Sequence, residues 1–301
     1  MWPIQRAREQ RDLVTAFYQR GRAVPRDRLA VLAGGMRGAD KDGALARAGV
    51  DPSRYLTISI DAVLVEMAAR GLIPLLAGQS PLQAADQVHS EAQHLAKRIG
   101  LLALADGRDL ILDVSLASSR SAEAWMYALR FAGYTVTALF AEIGVEDAVR
   151  WSAAAHDRGE EEYRRGRGYG GRAVPAEAIR ALSGPAATAA RNRISWATGA
   201  RAKATPPPGT FTGAGLPASG VTTMLASYRA GERTLDDLLL EFRARRWSQV
   251  PEVCPPGMEQ ARAAIDDLEP YVPGSFDDVL LAYDLGQLSA QEYELLSGVV
   301  S

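Results

Sequence analysis

A single cysteine, Cys254, stands in 301 residues. That scarcity excludes an internal disulfide and any zinc cluster built on several thiolates, and it fits a reducing compartment. Charge of one sign is also lacking: 34 basic against 36 acidic side chains leave a net −2, whereas a general binder of the nucleic-acid backbone needs a strong positive excess. No apolar run approaches the roughly 18 residues of a membrane-spanning helix, and the residues after Met1 carry no signal-peptide pattern. The expectation is a soluble, cytoplasmic protein without membrane or general nucleic-acid binding. Histidine is rare too, and His89 and His94, five apart on one predicted helix, are badly spaced to share a metal.

What is present begins with Leu29 to Asp42, an apolar run that breaks into a glycine-rich loop with one lysine. A phosphate-binding loop follows a buried strand with G-x-x-x-x-G-K-[ST]: its backbone N–H groups close around phosphates, its Lys reaches the β/γ-phosphates and its hydroxyl holds Mg²⁺. Gly35-Met-Arg-Gly38-Ala-Asp40-Lys41-Asp42 keeps the spacing, the first Gly and the Lys, but places Asp40 at the second Gly and Asp42 at the Ser/Thr. A carboxylate about 4 Å from a phosphate costs on the order of 4 kcal/mol at an effective dielectric of about 20, roughly three decades of affinity. Asp42 has one compensating use, as a direct Mg²⁺ ligand. The other reading of this stretch is a plain strand-to-helix turn that never meets phosphate.

Downstream, strand patterns at Tyr55 to Ile60, Leu110 to Ser115 and Tyr134 to Phe140 alternate with helical patterns at Ala62 to Gly71, Pro81 to Ala105 and Ala122 to Gly133. Strand, helix, strand in that order predicts an α/β fold with a parallel sheet covered by helices. Functional groups of such sheets gather at the carboxyl ends of the strands. Asp61 is thus a candidate general base or a helix cap, Asp113 a candidate Mg²⁺ support, and Glu91 a solvated charge unless other features recruit it. An amphipathic helix over Met1 to Arg22 is expected on the outside of the core, or as a docking helix.

Leu29 to about Pro175 resembles the zeta-toxin family of P-loop kinases. The resemblance rests on Gly34-Gly35, the run Tyr55-Leu-Thr-Ile before Asp61, His89-Ser-Glu91, Leu112-Asp113-Val-Ser115, Leu129-Arg-Phe-Ala-Gly-Tyr134 and Gly168-Tyr-Gly-Gly-Arg172-Ala-Val-Pro175. It implies a P-loop kinase-like sheet and transfer of phosphate from ATP with Mg²⁺ to UDP-N-acetylglucosamine. Carried onto this chain, it gives Gly35, Gly38, Lys41 and Arg150 to the nucleotide and Asp61, Arg158 and Arg172 to catalysis. Glu91 and Ser115 go to the sugar substrate, and Asp42 and Asp113 to the metal. Departures accompany it: Asp40 stands where bare backbone is expected, Asp42 where a hydroxyl is expected, and Ala155, Asp157 and Ala117 where positive charge is expected.

These features divide the chain into a kinase-like domain with its N-terminal helix over 1–182, an Ala/Gly/Pro-rich linker over 183–220 and a small all-helical module over 221–301, separated into short helices by prolines. Two functions follow. One is a weakened or inactive kinase, without need of ATP or Mg²⁺, acting as an interaction module through its C-terminal helices, in a toxin–antitoxin pair or a larger assembly. The other is an active phosphotransferase on a nucleotide sugar.

Overall fold

The computed structural model describes residues 4–75, 77–117, 119–183, 219–248 and 259–300. Cys254 and nearly all of the proposed linker lie outside them. Helix α1 (Ile4–Arg20) precedes β1 (Leu29–Gly34), whose residues Ala30 to Ala33 are almost wholly buried. Then follow α2 (Lys41–Arg47), β2 (Leu56–Ser59), α3 (Ile60–Ala69), α4 (His89–Asp106), β3 (Leu110–Val114), α5 (Ser119–Phe131), β4 (Thr135–Phe140), α6 (Val145–Arg164) and α7 (Ala176–Ala181). The C-terminal helices are α8 (Gly220–Arg229), α9 (Leu235–Ala244), α10 (Asp277–Asp284) and α11 (Ala290–Gly298).

All pairings in the sheet are parallel, in the order β2-β3-β1-β4. Period-two alternation assigns the strand side chains to two faces. Ala30 and Leu32 point into the large core shared with α1, α3, α4 and α5, while Val31 and Ala33 meet Leu45 of α2 on the other side. Strand β1 continues towards β2 on one side and β3 towards β4 on the other, so the carboxyl ends of neighbouring β1 and β3 form the crevice at which the topology switches. This is the P-loop kinase-like α/β architecture, parallel sheet between helices, with further helices at its C-terminal end.

Two elements differ from the sequence pattern. The helix expected over Pro81 to Ala105 divides into a 3₁₀ turn, Leu82–Val88, and α4. In the all-helical module expected over 221–301, residues 259–271 instead hold a 3₁₀ turn, Glu259–Ala264, followed by irregular chain to Tyr271. Long-range bonds explain the second difference: as shown below, the polar groups of residues 265–269 are taken by the sheet domain, which overrides local helical preference.

The C-terminal helices have a core of their own around Val221, Leu238, Phe242, Val279 and Leu296. Capping boxes at Ser219, Thr234 and Ser289 start three of them. They are also keyed into α4. Lys97, 2% exposed, reaches Asp277 and Glu269 at 2.8 Å each, and Arg98, equally buried, holds Asp284 by two hydrogen bonds of 2.6 and 2.9 Å. Leu268 and Tyr271 are buried in the large core.

Candidate active site

The glycine loop leaves β1 with Gly35 N–H donating to Val114 O (3.2 Å), which stitches it to the end of β3. Gly38 has φ +81°, and a Cβ there would come within 2.6 Å of the Trp151 ring. The loop therefore needs glycine twice over, for its left-handed backbone and for the indole of α6 lying on it. Asp40 is the N-cap of α2, its carboxylate accepting the Gly43 N–H at 2.8 Å. The Lys41 ammonium is paired with Asp113 and lies 3.4 Å from Val114 O.

A cavity of about 440 Å³ opens over this loop, lined by Arg37 to Asp42, Ser59 to Asp61, Asp113, Trp151 and Asp266. Asp61 lies in the first turn of α3, but Ser59 is the cap, accepting Ala62 N–H. Asp61 is half exposed and accepts two bonds from Arg37 (2.7 and 2.8 Å) and one from Arg172 (2.8 Å). Burial pushes its carboxyl up, yet the two guanidiniums outweigh it and hold the group far below the usual carboxylate range. Asp113 moves the opposite way: burial raises it, against the pull of Lys41.

Arg172 is positioned by the Gly170-Gly171 turn, which α6 clasps. Glu160 accepts Gly171 N–H at 2.8 Å, and His156 Nδ1 donates to Gly171 O at the same distance. A Cβ on Gly171 would run into the His156 backbone, so the approach is glycine-dependent. Arg172, 4% exposed, donates to Asp61, to Asp266 (2.7 Å) and to His89 Nδ1 (3.2 Å). His89 is thereby neutral at Nδ1 and donates from Nε2 to Ile265 O (3.0 Å), and burial lowers its pKa further.

Residues 265–269 cross the carboxyl edge of the sheet beside this cluster. Asp267 accepts from Ser115 Oγ (2.9 Å) and Leu116 N–H (2.8 Å), Gln93 donates to the Ile265 and Asp267 carbonyls (3.1 Å each), and Trp125 Nε1 donates to Glu269 O (3.0 Å). Leu116 adopts φ +53°, a left-handed conformation unusual for leucine.

The structure brings together Gly35, Gly38, Lys41, Asp42, Asp61, Asp113 and Arg172 at one edge of the sheet. Ser115 is adjacent but covered by Asp267. Glu91 is elsewhere: 3% exposed, bound by Arg6 (2.8 Å twice) and Gln10 (2.6 Å), it anchors α1. It is neither solvated nor open to the cavity. Arg150 is paired with Asp147 on the exposed face of α6, and Arg158 is exposed on the same helix; neither lines the cavity, to which α6 contributes Trp151. Asp266, Asp267 and Gln93 escaped the sequence reading, and His89 entered it only as a poor metal partner and as part of the resemblance, since their partners lie far away in the chain and no local spacing signals them.

Among the described residues no group of three or more His, Cys, Asp or Glu has metal-holding geometry. Asp42 and Asp113 both line the cavity, and two carboxylates completed by phosphate oxygens and water form a set that Mg²⁺ accepts.

A lysine from a glycine loop at the β1/β3 switch point, facing an acidic residue from β3, defines a P-loop kinase-like protein. The family model described as Zeta toxin matches residues 25–192, more than half of the chain, and the chain belongs to that family. Neither the curated proteins nor the solved structures give a match.

Proposed function

We propose that this zeta-toxin domain is a kinase relative whose nucleotide chemistry is weakened or lost and which serves as an interaction module. The observation that carries this is self-neutralisation of the phosphate loop. The N–H at the start of α2 is satisfied by Asp40, and the Lys41 ammonium by Asp113. An incoming phosphate must displace carboxylates at both places, and Asp42 adds a third negative charge.

The base position supports the same reading. A general base works best with a pKa near the operating pH. Asp61, clamped by Arg37 and Arg172, is held far too acidic to accept a hydroxyl proton readily. Arg150 and Arg158 of α6, which the resemblance gives to the nucleotide and to catalysis, do not line the cavity.

Were nucleotide to enter, Asp42 and Asp113 would hold Mg²⁺, whose charge would neutralise the β/γ-phosphates. Arg172 and Lys41 would orient the transferring group. Their retention, together with Asp61, favours a second reading, a slow ATP-dependent phosphotransferase on a nucleotide sugar. As an interaction module the chain would act in the cytoplasm, in a toxin–antitoxin pair or larger assembly, through the C-terminal helices, where Leu240 is 69% exposed.

Calorimetric titration with MgATP separates the readings. The expected dissociation constant is weaker than about 1 mM. Saturable binding at micromolar MgATP would overturn the proposal, and phosphate transfer to UDP-N-acetylglucosamine would establish the second reading.

A further inference from the structure

The polar groups around residues 265–267 are donors, and the atoms they meet on that stretch are oxygens. His89 and Gln93 donate to the Ile265 carbonyl, Arg37 (3.5 Å) and Arg172 to Asp266, and Ser115 and the Leu116 amide to Asp267. Such a ring of donors, charged on one side and neutral on the other, is chemistry suited to an oxygen-rich anion such as a phosphorylated compound. Charges also balance inside the cluster. Arg37 and Arg172 face Asp61 and Asp266, two against two, so the chain's own Asp266 removes the positive excess that an anion would need.

The stretch is tied at both ends. Ala261, Ala264 and Ile265 pack against Ala178 and Ile179 of α7, and Leu268 and Tyr271 sit in the large core. Between these anchors its hold on the cleft is polar, through groups that an anionic ligand could replace one for one.

We infer that Ile265–Asp267 is an internal occupant of the acceptor side of the cleft, an autoinhibitory strap that must shift before an oxygen-rich anion in the cavity beside Arg37 can reach Arg172 and Ser115. The inference rests on the reading of this cleft as a phosphoryl-transfer site and adds its regulation. Opening requires displacement of only Asp266 and Asp267, between the apolar anchors Ile265 and Leu268. The left-handed Leu116 turn, which aims its N–H at Asp267, would present the same N–H to the incoming anion.

The test uses the full chain and inorganic pyrophosphate as probe. Asp266→Asn and the Asp266→Asn/Asp267→Asn pair keep the shape of the strap but remove its charge. Calorimetry should show pyrophosphate binding at least tenfold tighter in either variant than in the parent. The gain should vanish when Arg172→Gln is added. Hydrogen exchange at the Leu116 amide should accelerate in the double variant, which weakens its acceptor. Should the double variant fail to fold, Asp266→Asn alone decides, because it leaves both Asp267 bonds and the strap carbonyl bonds in place. Equal pyrophosphate affinity in folded Asp266→Asn and parent would overturn the inference, as would a gain that survives Arg172→Gln. Tight MgATP binding by the parent would instead count against the weakened-loop reading, so the two failures are distinguishable.

Discussion

The Lys41 ammonium is in ion contact with Asp113 across the crevice between β1 and β3. The pair is fed from both sides of the switch point: the lysine ends the glycine loop of β1, and the aspartate is the fourth residue of β3. A phosphate can win Lys41 only if its other contacts repay the loss of Asp113, and Asp40 and Asp42 remove two of those contacts. Asp40→Gly with Asp42→Ser should restore bare N–H groups and the metal-binding hydroxyl. The expected outcome is MgATP affinity raised by a factor of ten or more, discounted from the Coulomb estimate because Asp40 is 69% exposed. Lys41→Ala in that background should abolish the gain. Equal calorimetric titrations of parent and double variant would show that the loop is not the cause.

Arg172 holds two carboxylates and a histidine, with nine-tenths of its side chain buried. Removing one partner from a buried pair leaves uncompensated charge. Arg172→Gln is expected to lower unfolding free energy by roughly 3 kcal/mol, with Asp266 the main loser, since Asp61 is half exposed and keeps Arg37. Arg172→Lys should recover little, because an ammonium cannot span the same three partners. Urea unfolding of the two variants measures this, and a loss under about 1 kcal/mol would show that the cluster is solvated in solution.

Much of this was legible from residue patterns. The apolar run from Leu29 and the runs Tyr55 to Ile60, Leu110 to Ser115 and Tyr134 to Phe140 became the four strands, β2 and β3 ending one residue sooner than read. The two central strands β1 and β3, covered on both faces, gave the most continuous apolar runs. Strand-end logic likewise placed Asp61, Asp113 and the glycine loop at one edge. Glu91 misled local reading, since its partner Arg6 is 85 residues away and nothing nearby marks a carboxylate as buried. The strap was illegible for the same reason: Asp267 meets Ser115 across 152 residues, and short stretches that owe their shape to such contacts have no period of their own.

Glu91 also supplies a prediction. Its carboxylate takes three hydrogen bonds from α1, so Glu91→Gln should loosen that helix rather than alter any ligand site. A loss of about 2 to 3 kcal/mol is expected from leaving Arg6 with only the more distant, partly exposed Glu9 (3.7 Å) as charge partner. Limited proteolysis should cut between α1 and β1 sooner in the variant. Unchanged protection with altered ligand binding would return Glu91 to the site.

Gly38 tests the loop geometry. Gly38→Ala must adopt φ near +81° and press its methyl into Trp151. We expect destabilisation of about 1 to 3 kcal/mol from the backbone and contact strain together. Trp151→Ala added to it should recover the contact part only, leaving the left-handed strain. Thermal unfolding of the two singles and the double closes this cycle, and strict additivity would show that indole and loop are not in contact.

Acid should release the C-terminal helices through Glu269. Its carboxylate joins His94 (3.0 Å) and Lys97 (2.8 Å), and Lys97 in turn reaches Asp277 in α10. Burial pushes the Glu269 carboxyl up, but the hydrogen bond from His94 and the charge of Lys97 outweigh it and hold it at about 2. In the unfolded chain the same group titrates near its ordinary value of about 4.3. The folded state therefore binds fewer protons in this window. Stability from Glu269 is present in full above the unfolded value and is lost as pH falls towards about 2. Linkage puts the loss on the order of 3 kcal/mol as an upper figure. Glu269→Gln should be less stable than the parent at pH 7 and show a flatter acid limb between about pH 4.5 and 2, while Lys97 keeps Asp277. Urea midpoints of the two proteins across that range give the measurement. Parallel acid limbs would mean that Glu269 is not held by Lys97 and His94, and the docking of α10 on α4 would then rest on Arg98 and Asp284.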